Sequence, residues 1–150
     1  MKKTGIVLGF IGLIIIVLII VLIISIPISN DFVAKNVVKK IEDIPLPERT
    51  EYIESAYLAG KLVGNGNGMQ YFGAILVKSE QPFEELLNYY ESYNDDNWHF
   101  IVEKQLKKDI QIIEHGNLSF QTNIKSNDYY IVYSWGKGNS LFSELDIRGH

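Results

Sequence analysis

The chain has 150 residues, a net charge of −4 at neutral pH and no cysteine. Two of its positive charges, Lys2 and Lys3, precede a long apolar run, which leaves −6 on everything that follows. That balance lacks the clustered Lys and Arg that nucleic-acid binding needs, and the missing cysteine excludes disulfides, thiolate catalysis and Cys-ligated zinc or iron–sulfur sites.

The apolar run extends from Gly5 to Ile24 without a charge or a side chain that must hydrogen-bond. About 20 residues at 1.5 Å each give a helix of roughly 30 Å, the thickness of the hydrocarbon core of a bilayer. A cleaved signal has a shorter apolar region followed by small residues, whereas Ser25-Ile26-Pro27-Ile28-Ser29 places isoleucines where a peptidase needs small side chains. The expectation is an uncleaved single-pass anchor at the cell membrane, with Pro27 ending its helix. Lys2 and Lys3 favour an N-terminus in the cytoplasm and an extracytoplasmic C-terminal domain, while Lys35, Lys39 and Lys40 pull the other way. Gly5 and Gly9, with Gly12 near the same face, are spaced for close packing of two membrane helices, which makes a homodimer through this face an expectation.

Phe32, Val33, Val37, Ile41 and Ile44 have the spacing of a short amphipathic helix. Two arrangements fit it: a helix resting its lysines on anionic headgroups, or a stalk continuing the anchor. Ile44-Pro45-Leu46-Pro47 then reads as an extended connector and a boundary. The expected organisation is an anchor over 1–28, a juxtamembrane linker over 29–50 and an extracytoplasmic domain over 51–150.

Within that domain, 51–63 and 69–78 read as strands, the second apolar at nearly every position, as a central strand covered on both faces would be. Gly64-Asn65-Gly66-Asn67-Gly68 between them is hairpin-turn chemistry. It lacks the following helix and the Lys-Ser/Thr pair of a phosphate loop. Pro82 to Tyr93 is a helix with Phe83, Leu86, Leu87 and Tyr90 on one stripe and Glu84 and Glu85 in its first turn. After the turn Asn94-Asp95-Asp96-Asn97, strands are expected over 98–103, 110–114, 118–124 and 129–135. Residues 141–147 fit either a short edge strand or a helical turn. The fold class is therefore α+β: an N-terminal transmembrane helix, then a small antiparallel sheet in the order β-β-α-β-β-β, with room for one extra strand and with one helix packed on a face.

The segment Phe83-Glu84-Glu85-Leu86-Leu87-Asn88-Tyr89-Tyr90, followed by Trp98 opening a strand, resembles small domains of bacterial anchored proteins and lipoproteins. In those domains a Gly precedes the Trp; here Asn97 does. The resemblance spans about 25 residues, implies an envelope location and implies no activity.

Reactive constellations are sparse. Asp95, Asp96 and His99 come nearest to a metal cluster, but lack the spaced acids of a calcium loop and a third strong zinc ligand. No serine lies in a Gly-x-Ser-x-Gly elbow, and His115 and His150 fall in a turn and at the last position. No catalytic residue, metal ligand or cofactor is assigned. The nine tyrosines are the conspicuous residue type, and Tyr57, Tyr71, Tyr129 and Tyr133 form the expected interaction surface on an outer sheet face. The leading expectation is a non-catalytic interaction or accessory module, with the bilayer and an envelope protein as partners. An inhibitor or immunity-type protein acting on a cationic enzyme is one alternative, and a hydrolase or metal-dependent enzyme using His99 and Asp96 is another.

Overall fold

A computed structural model describes residues 2–136 and 140–150, with side chains for residue 7 and from residue 9 onward. Its elements in chain order are α1 (Lys2–Glu42), β1 (Thr50–Gly60), β2 (Gln70–Ser79), α2 (Phe83–Glu91), β3 (Ile101–Lys104) and β4 (Tyr129–Trp135). Two 3-10 turns, Ser143–Leu145 and Ile147–Gly149, close the chain. The four strands form one antiparallel sheet in the order β1-β2-β4-β3, which makes the fold α+β as expected.

The 41-residue α1 corrects two expectations. Pro27 does not end the helix; it lies inside it. A mid-helix proline removes one backbone hydrogen bond and costs about 3 kcal/mol, but here the residues that follow are held by the domain. The expected linker over 29–50 is likewise no linker in its first half. Ala34, Val37, Val38, Ile41 and Ile44 are buried against the sheet, so the stalk arrangement is the one found, with its last three turns inside the core. Lys35, Lys39 and Lys40 stand on the opposite, exposed side.

Alternation along β2 divides the core in two. Tyr71, Ile75 and Val77 point to the face covered by α1 and α2, where Ile75 and Val77 join Val38, Ile41, Leu86, Tyr90 and Val102, and Tyr71 packs with Ala34, Val37 and Ala59. Phe72, Ala74 and Leu76 point to the other face, with Ile131 and Tyr133 of β4. Gly73 lies where α1 crosses the sheet. A Cβ built there would stand 2.7 Å from the Val38 nitrogen and 2.8 Å from the Val37 Cβ. Only glycine lets helix and strand approach this closely.

The second face is covered by irregular chain rather than strands, which corrects the expectations for 110–114 and 118–124. Ile110, Ile113 and Phe120 are buried there. The only bridge in this stretch is the isolated Asp109–Ser119 pair. Several backbone groups pair with side chains or lone carbonyls instead. Glu54 accepts from the Gln121 and Thr122 nitrogens at 3.0 and 2.7 Å, Gln105 donates to the Lys107 and Asp109 carbonyls, and the Glu114 and His115 nitrogens share the Leu62 carbonyl. Apolar content here serves as anchors for a loop, without the strict alternation a ladder requires.

Candidate functional site at the base of the domain

The end of the domain nearest the apolar half of α1, here its base, carries the densest polar network. It begins with Asn30, wholly buried in α1 one turn beyond Pro27. Its Oδ1 accepts from the Tyr71 hydroxyl at 2.9 Å and from the Ser140 hydroxyl, and its Nδ2 donates to Asp146 Oδ2 at 2.8 Å. The Ser140 nitrogen donates back to the Tyr71 oxygen at 3.1 Å. A side-chain amide has no charge but can satisfy several partners at once, which is what lets it sit in a dry core.

Arg148 completes the network. Its Nε and Nη2 reach Asp146 at 3.0 and 2.8 Å, its Nη1 reaches Asp31 at 2.8 Å, and Nη2 also donates to the Pro27 carbonyl at 3.1 Å. The guanidinium fork suits a carboxylate in this bidentate manner, and the pairing keeps it charged well above any working pH. Arg148 also holds the Asp146 carboxyl down to about 2, with help from Asn30. The last eleven residues are thereby strapped to α1. They are strapped to the β1–β2 hairpin as well, since the Lys61 nitrogen donates to the Arg148 carbonyl at 2.6 Å and the Gly68 nitrogen to the Gly149 carbonyl at 2.7 Å.

Beside this strap lies an open cleft of about 440 Å³, lined among others by Leu58, Leu62, Lys61, His115, Ile147 and Arg148. Its floor is apolar and its rim basic. His115 and Arg148 in its lining are already engaged: His115 Nε2 pairs with the Gly64 carbonyl at 2.9 Å, and Arg148 with two carboxylates. Gln70 fastens the neighbouring turn by accepting from the Leu62 and Val63 nitrogens. Among the described residues that line the cleft, no nucleophile, base and orienting acid converge.

The residues singled out from sequence do not gather here or anywhere else. Tyr71 and Tyr133 are buried, at 1% and 5% exposure, because both faces of the sheet are covered. Tyr57 and Tyr71 point to the helix-covered face, and Tyr129 and Tyr133 to the opposite one. The expected tyrosine surface is therefore corrected: its four members are split two and two between the faces, and the Tyr133 hydroxyl is spent on Glu103 at 2.7 Å. Asp95 accepts from the Asn97 and Trp98 nitrogens, fastening the turn, and His99 is exposed. Among the described residues no group of three His, Cys, Asp or Glu side chains could hold a metal ion. Gly9 and Gly12 face open space; the surroundings of Gly5 lie outside the described residues.

Asn30, Asp146 and Arg148 went unread in the sequence. Asn30 sat in the expected linker, and Asp146 stands 116 positions from it, so only the fold brings them together. No protein-family model, curated protein or solved structure matches the chain.

Proposed function

We propose that this chain is a membrane-anchored, non-catalytic interaction or accessory module of the cell envelope, with its N-terminus inside and its C-terminal domain outside. The observation that carries this reading is the continuity of α1. One helix supplies both an apolar stretch long enough to cross a bilayer and five buried side chains of the domain core. A module built this way is presented at a set height and orientation, which suits surface recognition next to the membrane.

The charge conflict over orientation also eases. Lys35, Lys39 and Lys40 stand roughly 16–24 Å beyond Ile24, towards the far limit of the window in which flanking charge counts, and the long domain behind them translocates largely regardless of charge. Lys2 and Lys3 then carry the weight. The similarity of the 83–98 segment to anchored bacterial domains supports the same location. Gly9 and Gly12 leave room for a second copy of the membrane helix.

The reading is tested in intact cells. Added protease should remove the domain while the apolar helix stays in the membrane, and a photocrosslinker at exposed Tyr57, on edge strand β1, should give a discrete adduct. Full protection from protease overturns the orientation. The absence of any adduct at Tyr57 and at other exposed strand positions overturns the interaction role.

A further inference from the structure

The C-terminal segment is inside out for a surface exposed to water. Its polar Ser143 and Asp146 are buried, at 5% and 3% exposure, while Leu141, Leu145 and Ile147 point outward. Leu141 and Ile147, at 89% and 86%, are the most exposed large apolar side chains among the described residues. A single exposed leucine calls for no explanation, but three within seven residues, above a buried polar layer, do.

What covers them follows from where the segment is tied. Ser140 bonds Asn30, and Arg148 bonds the Pro27 carbonyl and Asp31. Pro27 and Asp31 lie about 4.5 and 10 Å beyond Ile24 along the helix, and the headgroup layer of one leaflet is roughly 5–8 Å thick. The segment is thus tied within and just outside the headgroup layer by contacts with the very helix that leaves the bilayer. Ile28, about 6 Å beyond Ile24 on α1, adds exposed apolar surface at that height. Glu144 is exposed here too and offsets Lys61 at the cleft, while Arg148 is neutralised by Asp146 and Asp31, so these described residues carry no net positive charge to spend on anionic lipid.

We infer that Leu141, Leu145 and Ile147 insert into the interfacial layer of the bilayer that α1 spans, giving the domain a second membrane contact. The partner is lipid of either headgroup charge, engaged through its glycerol and upper acyl region, and the contact is insensitive to salt. This inference rests on the reading of α1 as a membrane anchor, and its test separates the two.

Because the chain lacks cysteine, single labels can be placed cleanly. The full chain carrying Leu141→Cys or Ile147→Cys, with a polarity-sensitive fluorophore, is reconstituted into phosphatidylcholine vesicles. Ile14→Cys within the apolar run and Glu48→Cys beyond the far end of α1 are the comparisons. The 141 and 147 labels should emit to the blue of the 48 label and be quenched by lipids brominated high on the acyl chain, unchanged by added salt, and the 14 label should be quenched by lipids brominated near the chain end. Quenching at 14 with 141 and 147 behaving like 48 overturns the inference and leaves the anchor intact. No lipid quenching at 14 overturns the anchor reading itself. Labels shielded from aqueous iodide yet not quenched by lipid mean that protein covers the patch, which also overturns the inference. All the substituted side chains are exposed, so folding is not at issue.

Discussion

At the scale of single residues, stability at the base of the domain depends on one carboxylate. The Asp146 side chain is 3% exposed, and Arg148 lowers its folded pKa to about 2, below the ordinary value of about 3.9 that an unfolded chain shows. A lowered folded pKa means stability that is present above the unfolded value and lost as pH falls towards the folded one. The pair should therefore contribute about 2 kcal/mol near neutrality and lose it between roughly pH 4 and pH 2. Thermal unfolding in detergent should show this step, and Asp146→Asn should flatten it while lowering the melting temperature at pH 7. An unchanged acid step in the variant would assign it to other groups. None of this was legible beforehand. An Asn after an apolar run and an Asp two residues before an Arg are each unremarkable until the fold closes the distance between them.

At the scale of elements, periodicity served well where one face of an element decides its position. The apolar run of β2, the stripe Leu86–Tyr90 of α2 and the β-branched, aromatic β4 all form where their patterns put them. It served poorly where packing overrode local preference. Pro27 should break a helix on its own, but the domain holds the helical residues that follow it and Arg148 binds its carbonyl. The isoleucines of 110–113 suggest a strand, yet they act as pegs for a loop fixed by Glu54 and Gln105. Gly73 joins these scales. In sequence it is a weak point in a strong strand; in the fold it is the crossing point of α1. Gly73→Ala should cost about 1–3 kcal/mol, because the atoms it meets belong to the helix backbone and to a β-branched Cβ that cannot swing away. Gly66→Ala, in open space on the hairpin loop, should stay within about 0.5 kcal/mol. Equal melting temperatures for the two variants would mean that helix and strand are less tightly joined than this.

For the whole molecule, the boundary read at the prolines of 45–47 divides the chain in the wrong place. Removing everything before residue 45 would strip Asn30, Ala34, Val37, Val38, Ile41 and Ile44 from the core. Burial of five such apolar side chains is worth on the order of 10 kcal/mol, comparable to the entire stability of a small domain. A fragment of residues 29–150 should thus give a dispersed amide spectrum and a cooperative melt, and one of residues 45–150 should give neither. A folded 45–150 fragment would show that α1 decorates the core instead of completing it. The continuity of α1 has a mechanical consequence as well. If the apolar half of α1 spans a bilayer as proposed, there is no slack between span and domain and the helix is a tiller: about 27 Å of it stands beyond Ile24, so a tilt of about 20°, ordinary for a membrane helix, would swing the far end sideways by roughly 9 Å. Any change in bilayer thickness that alters that tilt would re-aim the outer surface of the domain without moving a single contact inside it.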